Sequence, residues 1–560
     1  MKKNISYIAI VLSGLAISSC EKILEPAYDN SLSDDLVWTN PIYAEGVLLR
    51  AYTNMPDLYE FISDMATGDA VSNEKGGDAN RLSDGEWSAQ YNPISTWSDA
   101  YSSLFYINLF MENMHRVEWS YRSEVTSEIH ARRLEGEAYG LRAWYQFQLL
   151  QGHSGTVGGE LLGFPIVTEV LDGDDFAIPR GNFQACVDNI LADCDSALTL
   201  LPLVYEDTDS IEWDNAMGEK YVNRIDGRAV HAIRSRVLLY AASPAYNPGN
   251  DLSKWEQAMK VSGDLIEIMG GINKLSSKGI DFYNRNSVSA LSRESELIWY
   301  TTLSASSSME EEHFPPSHFG DGRCNPTQEL VDAFPASDGY PIDQSSVYNP
   351  QLPYENRDRR LGEYIIYNGS DFKGSKIYTH TGDPIDGINA QESSTRTGYY
   401  LKKFMNQSVL LDPLQPSNHF YAYLRATEVF LNFAEAANEF GGPTYSYSGM
   451  SAVDIMRALR KRARLTDYSY IEGLDQAGLR EAIRNERRIE LCFEGHRFWD
   501  IRRWNLVDEM TMPVSGITMA PDSTFNIQVI DERVYLPHMI YGPIPYNEIL
   551  KMDIRQNDGW

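Results

Sequence analysis

Residues 487–504 read RRIELCFEGHRFWDIRRW, with five arginines, three acids, a histidine, a cysteine and four bulky rings in eighteen positions. His496 and Asp500 stand at i and i+4, the spacing at which two side chains on one helix face can share a metal ion. The surrounding arginines would repel a dication, and no second histidine is near. The arginines instead face Glu486, Glu490, Glu494 and Asp500 at helical offsets of three or four, which favour ion pairs. Phe493, Phe498 and Trp499 then read as core. On this reading Arg497, Trp499 and Asp500 should be buried and far from Trp87, the ring singled out below.

Other catalytic signatures are weak. Asp and Glu total 79, but a glycosidase needs two carboxyls at a set separation across a sugar, which is a spatial property. The chain contains no nucleophile elbow, phosphate loop or dinucleotide-binding glycine fingerprint. The run GHSGTVGG at 152–159 follows a helical pattern and reads as a turn. No catalytic residue, metal site or cofactor is assigned.

Two polar stretches rich in rings offer binding chemistry. Sugars present apolar C–H faces and many hydroxyls, so a site for them combines aromatic rings with planar hydrogen-bonding groups. The first stretch, 63–92, supplies Trp87 and Tyr91 as rings and Asp64, Asp69 and Asn73 as polar partners. The second, 303–324, includes HFPPSHFGDGRC and supplies Phe314 and Arg323, beside His318, Phe319 and Asp321. Trp97 begins a helical pattern with Tyr101 and Leu104 and reads as core. An acid-rich site of this kind favours neutral sugars over uronic acids.

The formal net charge of −31 argues against nucleic acid, whose phosphates bind by releasing counterions to Lys and Arg. Lys2 and Lys3 precede a short apolar run, Tyr7 to Ile17, which ends Ser18-Ser19-Cys20. That pattern resembles a bacterial lipobox, with residues 1–19 removed and Cys20 lipidated, the lipid adding about 0.8 kcal/mol of membrane affinity per buried CH₂. No later run is long and apolar enough for a transmembrane helix. Cys186 and Cys194, eight apart on one helix, lie about 12 Å apart along its axis, too far for a disulfide.

These groups must be positioned by helices. Thr39-Asn40-Pro41 is a helix start, with a polar cap and then proline. Helical patterns follow at 42–54, 94–118, 131–150, 182–201, 226–243 and 252–269, the last ended by Gly270-Gly271. Gly136 and Gly140 lie off the apolar face of their helix, where a neighbour can come close. From 271 to 417 the periodic runs are short, with strands expected at 297–302 and 362–367 and a short helix near 327–334. Helices return at 420–440, 449–464 and 474–494. Paired amphipathic helices with small residues between large ones read as a mainly α, tetratricopeptide-like helix-pair scaffold, without a clean 34-residue consensus.

Several segments in order resemble the SusD/RagB family of outer-membrane glycan-binding lipoproteins. They are the acidic EKILEP after the lipobox, WSDAYSSLFYINLFMENM, EGEAYGLRAWYQFQLLQGHSG, GRAVHAIRSRVLLYAASP, NPTQELVDAFPASDG, YENRDRRL and LRATEVFLNFAEAANE. RNERRIELCFEGHRFWDIRRW resembles the family hallmark, and the ending resembles its I-P-x-x-E-I…N-x-G-W close. The loops at 63–92 and 303–324 match no family pattern. The resemblance implies four helix pairs as scaffold, irregular segments bearing a glycan site, and an outer-membrane, cell-surface position. It also implies a SusC-like TonB-dependent transporter as partner, and binding without catalysis. The expected organisation is a signal peptide (1–19), a lipidated linker (20–40), and two parts, 41–270 and 271–560, packed as one unit. Peptide uptake is the alternative within the family, and a secreted glycoside hydrolase the alternative outside it.

Overall fold

The structure, a computed structural model, describes residues 34–172, 177–284, 287, 291 and 294–560. Cys20 and most of the linker lie outside the described residues. The chain is mainly helical, and among the described residues its sheets are eight two-stranded antiparallel ladders.

The long helices start where the sequence places caps. Asn40 accepts from the Ile42 N–H ahead of helix Pro41–Thr53, with Pro41 at its first position. Asn182, Asp226 and Asp475 cap Phe183–Leu200, Gly227–Ala242 and Gln476–Glu490 in the same way, each satisfying an otherwise orphaned donor. Ser451 and Asp454 form a reciprocal capping box at Ala452–Arg462. Gly270 and Gly271, at φ of 98° and 80°, return N–H bonds to Glu267 and Ile266 behind Leu252–Ile268.

Helices adjacent in sequence pack against each other. Pro41–Thr53 lies on Trp97–Asn113, Glu124–His153 on Phe183–Leu200, Gly227–Ala242 on Leu252–Ile268, and Ala426–Gly441 on Ala452–Arg462. Close approach follows from the glycines: a Cβ on Gly136 would meet Leu201 at 2.8 Å, and one on Gly140 would meet Ile225 at 2.9 Å. One apolar core runs through these pairs and joins helices from both halves of the chain. A second core, including Phe61, Phe314, Tyr364, Tyr399 and Phe493, lies under the irregular region. A third, small core holds Trp87, Phe498 and Met539.

Three element boundaries differ from the sequence expectation. Residues 420–440 are not one helix. Ala422–Arg425 is a strand paired with Leu297–Tyr300, and the helix begins at Ala426. The expected strand at 362–367 is shorter: helix Arg359–Tyr364, capped by Asp358, takes its first half, and only Ile365–Ile366 pairs as a strand, with Tyr400–Leu401. The 474–494 helix stops at Glu490, and a new one, Arg497–Arg503, follows. Phe493 at φ 62° and Gly495 at φ 72° break the path. The Glu490 carbonyl accepts from Arg425 (2.7 Å) and from Lys403 Nζ (3.0 Å), so cations close the carbonyl end of the helix.

Candidate functional site

The two loops singled out from the sequence meet. Ala70–Ser72 pairs with Cys324–Pro326 in antiparallel register, Ala70 opposite Pro326 and Ser72 opposite Cys324. Asn73 Nδ2 donates to the carbonyls of Asp321 (2.8 Å) and Gly322 (3.1 Å). Arg323 spans the seam, 3.3 Å from Glu74 and 3.4 Å from Asp321. Beside it, helix Asp78–Ser83 holds Asp78 and Arg81 outward. The Tyr91 hydroxyl donates to Asp78 at 2.5 Å, and the Arg81 guanidinium lies 3.5 Å from the centre of the Tyr91 ring. Arg81 also pairs with Glu86 at 2.6 Å. The seam thus carries paired, partly exposed polar groups around one tyrosine.

Burial corrects most of the ligand-contacting residues expected from sequence. Trp87 is 3% exposed and packs edge-to-face on Phe498 and Trp560 at 5.6 and 4.9 Å. It is a core ring. Its ring partners lie more than 400 positions away in sequence, and Ala66 and Leu82 join the same small core. Asp64, Asp69 and Asn73 are buried as well. Asp64 accepts from the Gly495 N–H at 3.1 Å. Burial, and next the nearby Asp69, push its carboxyl up to about 8. Asp69 binds Arg488 at 2.6 Å. These acids brace the loop against 488–495. Phe314 is also buried, and the ring that faces out is Phe319, 66% exposed. Tyr91 and Arg323 alone among the expected residues are partly open.

Phe319 stands in the left-handed region at φ 67°, a strained position for a bulky residue. Its turn is held from several sides. The Ser317 N–H donates to Asp386 (2.9 Å), Gly322 N–H to the Phe314 carbonyl (3.0 Å), and Asp321 N–H to the Glu311 carbonyl (2.8 Å). His318 Nε2 lies 3.2 Å from Ser375 Oγ. The exposed Tyr378 and Ile385 follow in the same irregular region. Which phenylalanine of HFPPSHFG faces out was not decidable from composition. The turn residues Pro315, Pro316 and Gly320 around Phe319 were the available signal.

The hallmark segment is a buried charge network. Arg360 reaches Asp358, Glu486 and Glu490 at 2.6, 2.5 and 2.7 Å. Arg462 joins Glu490 to Glu296 at 2.7 and 3.1 Å. Arg425 joins Glu296 to Glu494, both at 2.6 Å. Arg487 and Arg503 share Asp500 at 2.7 and 2.8 Å, and Arg503 also binds Glu435. Burial would raise the Glu490 carboxyl, but Arg462, Arg360 and Arg425 outweigh it and hold it at about 2. Arg497 and Asp500 are buried as expected. Two expectations fail. Most partners are distant in sequence and not three or four positions away, because the helix breaks after Glu490. And the segment is not far from Trp87: Phe498 touches it, and the Arg502 guanidinium lies 5.0 Å from its ring centre. Trp499 is only partly buried and, with Glu494 and His496, lines a cavity.

Among the described residues, no three His, Cys, Asp or Glu side chains converge to hold a metal ion. No described helix is long and apolar enough to cross a membrane.

Comparison with known proteins adds the family. Residues 293–560 match the SusD family model, and residues 16–216 match a family described as starch-binding, associating with the outer membrane. A SusD-like protein of Formosa agariphila is 24% identical over 549 residues, covering 92% of this chain and 94% of its own. A SusD-like protein of Bacteroides fragilis superposes with a TM-score of 0.74 at 24% identity, over 94% of this chain and 99% of the other. A SusD-like carbohydrate-binding protein of the same species gives 0.72 at 20% identity, over 92% and 99%. Family profiles over both halves, a relative spanning nearly the whole chain and a shared helical architecture agree: the chain belongs to the SusD/RagB family.

Proposed function

We propose that this protein is a cell-surface lipoprotein that binds oligosaccharide or polysaccharide and passes it to a TonB-dependent outer-membrane transporter. In this reading residues 1–19 are a signal peptide, Cys20 carries the lipid, and residues 41–270 and 271–560 act as one binding unit. The observation that carries the glycan part is the joined loop surface. It carries Arg323, which bridges Glu74 and Asp321, next to the helix that presents Asp78 and Arg81 to Tyr91, and the outward ring of Phe319 stands on a braced turn four residues before Arg323. Rings for sugar C–H faces and planar groups for hydroxyls are what such a ligand requires.

Binding without cleavage is the reading the acids support. Glu74, Asp78, Glu86 and Asp321 are each engaged by an arginine or a tyrosine hydroxyl. None stands free opposite another as an acid–base pair would. The match to a family described as starch-binding supports a neutral glycan.

Titrating the purified protein against a panel of neutral oligosaccharides tests this, with Phe319→Ala as the variant. We expect binding to at least one, no released product, and at least tenfold weaker binding by the variant. Binding to peptides alone, or unchanged affinity in Phe319→Ala, would overturn the assignment.

A further inference from the structure

A cavity of about 260 Å³ is lined by residues outside the Ala70–Ser72 and Cys324–Pro326 ladder. Its walls come from 56–63, Thr96, helix Glu124–His153, helix Gly227–Ala242, 421–428 and 494–499. Trp144, Tyr421, Tyr423 and Trp499 give it aromatic sides. Three of these rings are fixed by each other. Trp144 meets Tyr423 edge-on at 5.9 Å, and Tyr421 lies 5.2 Å from Tyr423.

The polar groups in the cavity are of two kinds. Some are tied. Arg236 donates through Nε and Nη2 to Glu428, both at 2.6 Å, and Nη2 also reaches the Tyr423 carbonyl at 3.1 Å. Arg425 and Glu494 pair with each other. Others are not tied: the buried Trp144 indole N–H has no hydrogen-bond partner among the described residues, and Gln148, Tyr421 and Trp499 also line the cavity. His496, pushed well below its usual range by burial and then by Arg487 and Arg236, contributes a neutral imidazole. The cavity therefore holds rings, polar groups open to a ligand and two arginine–glutamate couples, with the exposed Glu60 carboxylate at its wall.

An ion entering would unbalance those pairs in a partly desolvated site. A peptide or glycan chain would not fit, since sites for drug-sized ligands run to about 300–1,000 Å³. We propose that this cavity binds one neutral sugar ring, as a site separate from the loop seam. The ring stacks on the aromatic sides and its hydroxyls engage Gln148, Tyr421, Arg236 Nη1 and Trp499. It arrives as a free monosaccharide or as the terminal unit of a chain whose remainder stays outside.

The test uses the purified protein with glucose, galactose, mannose and xylose, their charged counterparts glucuronate and glucosamine, and short oligosaccharides. Calorimetry gives affinity, and tryptophan fluorescence reports on Trp144 and Trp499. The variants are Gln148→Leu and Trp499→Phe, with Phe319→Ala as the seam control. We expect saturable binding of at least one neutral sugar, at least tenfold tighter than its charged counterpart. Gln148→Leu should weaken it at least tenfold with the melting temperature unchanged, and Phe319→Ala should leave it intact. Monosaccharide binding marks free sugar as the source, whereas a Gln148→Leu effect on oligosaccharides alone marks a chain terminus. If neither Gln148→Leu nor Trp499→Phe weakens any neutral sugar, the proposal fails. If Phe319→Ala has no effect on any glycan while Gln148→Leu does, the seam assignment fails and this one stands.

Discussion

Two charged regions of this protein use the same residue types to opposite ends. Around Glu490, arginines and acids are buried and interlocked across four chain segments. Around Arg323, similar groups pair two at a time at the surface. Buried ions lose hydration worth several kcal/mol each, so removing one partner leaves another stranded. Surface pairs remain solvated, contribute about 0–1 kcal/mol, and can exchange a partner for a ligand hydroxyl at little cost. Water access, and not residue type, separates scaffold from binding surface.

The comparison breaks most readily at Arg360. Arg360→Ala strands buried Asp358 and takes one of two arginines from Glu486 and from Glu490; it should cost about 3–5 kcal/mol, leaving little soluble protein. A variant that unfolds in denaturant like the parent would show the network to be dispensable. Trp87→Ala comes next. Its core position predicts a loss of about 3–5 kcal/mol, read as a fall in melting temperature. An unchanged melting temperature with weakened glycan binding would return Trp87 to the ligand surface.

At the seam the signature inverts. Phe319→Ala should weaken glycan binding tenfold, or about 1.4 kcal/mol, while stability moves by about 0.5 kcal/mol or less. Phe319→Gly should add about 1 kcal/mol of stability, since glycine adopts the positive φ without strain. Chemical denaturation beside titration separates these effects.

At Asp64 the expected effect is a pH dependence. The folded carboxyl keeps its proton up to about 8 and the unfolded one releases it near 3.8. Between those values the folded state holds a proton that the unfolded state lacks, so this group's contribution falls as pH rises and levels off above about 8. Asp64→Asn removes that dependence. Its melting-temperature advantage over the parent should grow from pH 5 to pH 8 and then stay flat. A constant difference across that range would mean that Asp64 titrates normally.

Much of the scaffold was readable from local pattern. Caps such as Asn40 and Asp226, the glycine stop at 270–271 and the apolar stripes of 131–150 and 226–243 act within a few residues. The misplaced boundaries arose where distant groups intervened. Arg425 and Lys403 close the helix at Glu490, and Leu297–Tyr300 recruits Ala422–Arg425 into a ladder that interrupts a helical-looking run. At the site, the two loops were identified but their roles were partly misread. Trp87 and Phe314 turned inward, and Phe319 turned outward.

The order of motifs along the chain settles its family, and local periodicity settles most of its helices. Neither could say which rings meet water or which charges are matched. Those depend on neighbours brought from far along the chain: Arg488 binds Asp69 across 419 positions, and Trp560 packs on Trp87. Burial is a property of that assembled environment, and burial decides whether an aromatic ring or a carboxylate supports the fold or is free to meet a ligand.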